Sequence, residues 1–177
     1  MKYFVGYLIR GQAAKWHTAL SDDIANKFNI WRISDKNPPH ITIYYPFEIE
    51  DISRVKNFLN GWISDHRMLG SVSISGFDRF EERVVFVKVR INDDTEKEIQ
   101  KLQKALCEIA PLRDTRADQL GWHPHATLAY KIPEEKINEI WRYVKTLDTP
   151  KFVIPFDNIS IFKWEVDKWT IEESLNF

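Results

Sequence analysis

Two short stretches, PPHITI at residues 38–43 and HPHATL at 123–128, each set a histidine two residues ahead of a threonine: His40 with Thr42, and His125 with Thr127. In a β-strand, side chains two apart leave on the same face, so each stretch offers one imidazole and one hydroxyl together. An imidazole titrates near about pH 6.5 and serves as base or acid at neutral pH. A threonine hydroxyl donates to an anionic oxygen. Two imidazoles and two hydroxyls facing each other suit phosphoryl transfer: one imidazole takes a proton from an attacking water, the other protonates the departing oxygen, and the hydroxyls hold the non-bridging oxygens. A 2′,3′-cyclic phosphate suits such a site, because its ring strain lowers the barrier.

The elements that must position these residues are legible from periodicity. KYFVGYLI at 2–9 reads as a strand, and Trp16, Leu20, Ile24 and Phe28 mark one face of a helix. The strand HITIYY at 40–45 follows. A helix opened by Asp51 comes next, with Ile52, Val55, Leu59 and Trp62 as its apolar stripe, and then the strand SVSISGF. The same order returns with RVVFVKVRI at 83–91, a helix carrying Ile99, Leu102, Leu106 and Ile109, and the strand HATLAY at 125–130. Pro133 stands where a first helical turn accepts it, ahead of Ile137, Ile140, Trp141, Val144 and Leu147. Strands near KFVIPF, ISIFKW and WTIEESL close the chain.

His40 and His125 are 85 residues apart, and the strands beginning at Ser71 and Phe152 are 81 apart. This is an internal duplication of strand, helix, strand, helix, strand, with approximate repeats 1–80 and 83–177. One repeat of about 80 residues buries its sheet poorly, so the expectation is a single domain of two pseudo-symmetric lobes spanning 1–177, with a site in the cleft between them.

Composition narrows the function. In 177 residues, 25 basic and 26 acidic side chains leave a net charge of −1, so binding to a polyanion needs a local patch. No apolar run approaches the roughly 18 residues of a membrane span, and the N-terminus lacks a signal peptide's cleavage region. The single cysteine, Cys107, cannot form an internal disulfide and lies beside Leu106 and Ile109, which points to core packing in a cytoplasmic, monomeric protein without membrane contact.

PPHITI and WHPHATLAY resemble the paired His-x-Thr motifs of the 2H phosphoesterase superfamily, whose best-known branch comprises 2′-5′ RNA ligase-like and RNA 2′,3′-cyclic phosphodiesterase proteins. The duplicated order and motif spacing extend the resemblance over nearly the whole chain. It implies a bilobal α+β fold of two antiparallel sheets flanked by helices with a central cleft, and metal-independent hydrolysis of 2′,3′-cyclic phosphates or 2′-5′ linkages, possible in reverse as ligation. It also implies catalysis by His40 and His125 with phosphate bound by Thr42 and Thr127, and no cofactor. The substrate would be an RNA end, an oligonucleotide or a cyclic nucleotide. RNA-directed members often continue the second motif to an arginine; here Tyr130 and then Lys131 follow. The first motif departs as well, running into Tyr44, Tyr45, Pro46 and Phe47 where a Leu-Gly is usual. A nucleotide- or RNA-binding module that keeps the fold with little or no catalysis is the alternative.

A single histidine opening a strand is ordinarily structural and bonded to a backbone carbonyl; the pairing in corresponding places argues for chemistry. His123 is a candidate cleft residue, and with His125, His40 and a carboxylate such as Asp114 or Asp118 it forms the alternative of a zinc site. Pro124 and the lack of further ligands argue against that alternative. Arg113 and Arg116 are candidates to reach a phosphate or second nucleotide, and Tyr44, Tyr45, Trp122 and Tyr130 to stack on a base. His17 and His66 have no partner pattern and are expected at the surface.

Overall fold

A computed structural model describes residues 1–66, 70–80, 83–112, 122–148 and 151–177. The elements run β1 (Lys2–Leu8), α1 (Gly11–Phe28), β2 (His40–Glu48), α2 (Ser53–Asp65), β3 (Ser71–Phe80), β4 (Val84–Ile91), α3 (Asp93–Ile109), β5 (His125–Ala129), α4 (Glu134–Val144), β6 (Phe152–Pro155), β7 (Asn158–Glu165) and β8 (Lys168–Asn176). Two four-stranded sheets result, ordered β2-β1-β7-β8 and β5-β4-β3-β6, with antiparallel pairing throughout. The bilobal α+β architecture is therefore observed.

The sheets do not follow the sequence halves. β3, from the first repeat, pairs with β4 and β6, while β7, from the second, fills the free edge of β1. Phe80 lies directly opposite Val84, so the short connection between β3 and β4 keeps these neighbours together. Lobes drawn at the repeat boundary thus exchange one strand each. Both histidine strands end up at sheet edges, and there β2 packs against β5.

The helices cross between lobes. α1 packs on β5 and α3 on β2. Along α1 the buried line is Ala13, His17, Ser21, Ile24, Ala25 and Phe28, while Trp16 and Leu20 are only partly buried. The helix ends at Asn29, whose left-handed backbone (φ 47°) lets the Asn29 and Ile30 amides both reach the Ala25 carbonyl. The N-cap of α2 is Ile52, one residue past the expected Asp51, whose carboxylate accepts from the Ser53 amide at 2.9 Å and hydroxyl at 2.6 Å just ahead of the helix. Gly76, at φ 73°, sits in the β3 bulge between Ile74 and Phe77, a backbone region that side chains rarely adopt.

Candidate active site

The two histidine strands are built alike. Gly6 and Val5 of β1 oppose Thr42 and Tyr44, and Phe86 and Val85 of β4 oppose Thr127 and Ala129. Each strand therefore carries one extra residue immediately after its threonine, Ile43 in one and Leu128 in the other. Such a bulge leaves a backbone group unpaired. Gln103 of α3 donates to the Ile43 carbonyl at 2.7 Å, and Ser21 of α1 donates to the Leu128 carbonyl at 2.7 Å. Gln103 and Ser21 are the eleventh residues of their helices. Each bulge is thus closed by a helix of the opposite half, which locks the two motifs against each other.

The bulge also decides which side chains reach the site. Before it, alternation holds, and His40 and Thr42, like His125 and Thr127, are half-buried on one face. After it, two consecutive residues turn inward, so Tyr44 is 3% exposed and donates its hydroxyl to the Ala110 carbonyl at 2.8 Å. The expectation that Tyr44 lines a substrate wall is corrected: it is a core residue. Tyr45 takes the half-buried position instead.

Both imidazoles are held in the same tautomer. His40 Nδ1 lies 2.7 Å from the Pro38 carbonyl, and His125 Nδ1 lies 2.8 Å from the His123 carbonyl. A carbonyl only accepts, so each Nδ1 carries hydrogen and each Nε2 keeps its lone pair, which no group among the described residues is seen to engage, for proton transfer. The structural reading of a lone strand-end histidine and the chemical reading are here the same contact. The rings also rest on matched aromatic pairs: Phe4 (4.8 Å) and Phe162 (5.3 Å) beside His40, and Phe80 (5.0 Å) and Phe86 (5.1 Å) beside His125.

This setting governs their proton affinity. Burial pushes the His40 pKa down to about 4, against a small upward pull from the Pro38 carbonyl, and the charge of His125 adds to the depression. His125 is also lowered, mainly by burial and then by His123, while its bond to the His123 carbonyl opposes the shift. The depression of His40 by the charge of His125 places the two imidazoles within electrostatic reach of one another.

Other predicted residues divide. Trp122 donates its indole N–H to the Thr42 carbonyl at 2.9 Å, tying the approach to the second motif onto the first. His123 is exposed, its ring 6.3 Å from that of His125. Tyr130 lies past the end of β5, exposed, with Trp31 at 5.6 Å and the Lys131 ammonium 5.2 Å from its ring. Arg113 and Arg116, with Asp114 and Asp118, lie outside the described residues. Among the described residues, no three His, Cys, Asp or Glu side chains gather as a metal site. His66 is half-buried and stacks on Trp62 at 4.0 Å.

His17 is the residue that sequence reasoning missed. It is 6% exposed, not on the surface, and lines a pocket shared with His40 and Thr127. The apolar stripe pointed away from it because the buried line of α1 is polar where it meets the site. The continuation of Ala13 through residues 17 and 21 to Ile24 at helical spacing was the available signal.

Two bulged His-x-Thr strands, set edge to edge within a pair of antiparallel sheets, define the 2H phosphoesterase class. The sequence matches the 2′-5′ RNA ligase superfamily over residues 13–168, and the chain belongs to that superfamily. No curated protein matches the sequence. Its fold is similar to that of TT0787 of Thermus thermophilus, at 16% identity and a TM-score of 0.57 over 99% of this chain and 97% of that one. A protein crystallised as a phosphoesterase matches at 11% identity and a TM-score of 0.60, covering 99% and 98%. LigT of E. coli, crystallised with 3′-AMP, matches at 13% identity and a TM-score of 0.55, covering 99% and 96%.

Proposed function

We propose that this protein is a metal-independent phosphodiesterase that opens 2′,3′-cyclic phosphates, or cleaves 2′-5′ linkages, at an RNA end, in an oligonucleotide or in a nucleotide. The observation that carries the reading is the matched anchoring of His40 and His125, which leaves one free Nε2 on each side of the junction between the sheets. Superfamily membership and the 3′-AMP bound by LigT support a nucleotide phosphate as the ligand.

The chemistry follows from these groups. Water attacks phosphorus while one Nε2 takes its proton; the bond from phosphorus to the ring oxygen breaks, and the imidazolium on the other side protonates that oxygen. Thr42 and Thr127 donate to the non-bridging oxygens, where charge accumulates. Of the two, His40 carries the deeper depression and reaches neutral pH without its proton, which suits the base. A bound phosphate monoanion favours a charged imidazole opposite it, and His125 is then the acid. Reversed, the same steps join a 2′-hydroxyl to a phosphate.

The test is turnover of the four nucleoside 2′,3′-cyclic monophosphates and a 2′-5′ dinucleotide in excess chelator, for the wild type and for His40→Ala and His125→Ala. Turnover lost in both variants supports the reading. A wild type that binds these ligands without turning them over would make the protein the binding module, and activity abolished by chelator would replace the two-histidine mechanism with a metal-assisted one.

A further inference from the structure

The seventh residue of α1 is His17, and the seventh of α3 is Ile99. Both are buried, at 6% and 0% exposure, and both helices pack on the histidine strand of the other half. The packing position therefore asks only for apolar bulk, and Ile99 provides it. His17 instead places an imidazole there, with neither ring nitrogen finding a hydrogen-bond partner among the described residues. The carbonyls of Ala126 and Thr127 lie close enough to favour its protonated form slightly, but burial dominates, with the charge of His40 adding to it, and holds the pKa down to about 4. A neutral imidazole has one donor and one acceptor; carbonyls can take only the donor, so the acceptor nitrogen is the one left buried without a partner, which is costly. The pocket that His17 shares with His40, Thr127, Ser34 and Asn37 has a mostly apolar wall, completed by Ile33, Pro38 and Pro39, with these polar groups set into it, and has room for at most one water molecule.

Resting on the two-histidine reading above, we infer that His17 is a water-positioning residue: its ring holds, in that pocket, the water whose proton His40 removes. The nitrogen facing the Ala126 and Thr127 carbonyls keeps its hydrogen, and the other accepts one O–H of the water. The second O–H points to His40, so the oxygen lone pair is free for phosphorus. In the step, the oxygen–phosphorus bond forms, the bond to the leaving oxygen breaks, His40 gains the water proton and the opposite imidazolium loses one. His17 begins and ends neutral. Where the chain needs no solvent contact, at Ile99, the same helix position is apolar.

His17→Ile copies the counterpart residue and is expected to fold and to melt no lower than the wild type. In hydrolysis of a nucleoside 2′,3′-cyclic phosphate its kcat should fall by about 10²-fold, the scale of a misplaced reactant, with KM little changed. With methanol added, the share of methyl phosphodiester product should rise, because the variant loses its preference for water and keeps its other groups; a purely structural role would leave that partition unmoved. High-resolution crystal structures supply an arm independent of turnover: a water within about 3.2 Å of a His17 ring nitrogen in the wild type, absent from His17→Ile. An unchanged kcat and methanol partition, or a His17 ring with no bound water, would overturn the inference. A wild type that turns over none of the cyclic phosphates would instead remove the functional reading, and the crystallographic arm would still decide whether His17 holds water.

Discussion

The surroundings of His40 and His125 are two solutions to one problem. Phe162 and Phe80 hold equivalent places, opposite Phe4 and Val84 respectively. The second ring against each histidine comes from different positions. Beside His125 it is Phe86, directly opposite Thr127; beside His40 the residue opposite Thr42 is Gly6, and Phe4, one pleat away, folds its ring over the gap to stack on Phe162 at 4.3 Å. A side-chain carbon at Gly6 would meet the Ile41 carbonyl at 2.9 Å and the Phe4 and Phe162 rings at 3.2 Å. The floor under each imidazole is thus preserved as a surface, not as a sequence position. What differs is the third neighbour: His40 has the buried imidazole of His17, and His125 has the exposed His123. His40 is the more deeply enclosed of the two imidazoles, and His125 the more open one.

The comparison breaks most directly at the histidines. If both are proton-transfer groups, His40→Ala and His125→Ala each lower kcat by roughly 10²–10⁴-fold, and steady-state turnover of a cyclic nucleotide measures both. A loss confined to one variant would end the equivalence of the two strands.

The pH profile sharpens the division of labour. The base must be neutral and the acid protonated, so kcat/KM falls below the pKa of His40, about 4, and falls again above that of His125, which is lowered from 6.5. The optimum of the free enzyme is therefore expected on the acid side of pH 6.5, with about tenfold loss per pH unit beyond each limb. An optimum above pH 7 would reverse the sign of the burial effect.

Smaller effects test the floor and the bulges. Gly6→Ala is expected to cost about 1–3 kcal/mol of stability by overpacking, read from denaturant unfolding, and to impair turnover because the displaced Phe4 ring supports His40. Gln103→Leu and Ser21→Ala each remove one bond to a bulge carbonyl and are expected to cost roughly 1 kcal/mol by the same measurement. Equal costs would confirm the matched closure of the two strands, whereas a null effect at one would show that its bulge is held by backbone alone.

Much of this was legible in the chain because it rests on local physics. Alternation with a period of two put His40 with Thr42 and His125 with Thr127, and helical spacing located the four helices among the described residues. Tyr44 was misread for the same reason, since alternation assumes an unbroken ladder and the extra residue at Ile43 turned the tyrosine inward. His17 was passed over because a histidine on a helix carries no local signal; His40 and Thr127, with which it lines a pocket, lie 23 and 110 residues away. Phe4, Phe80, Phe86 and Phe162 looked like any other core aromatics.

The sequence alone thus determined the repeated order of strands and helices and the four residues of the paired motifs, because each depends on neighbours a few positions apart. Tertiary structure decided the exchange of β3 and β7, the inward turn of Tyr44 and the meeting of His17 with His40. Those depend on which distant segments pay the entropy of closing long loops in return for burying their shared surface.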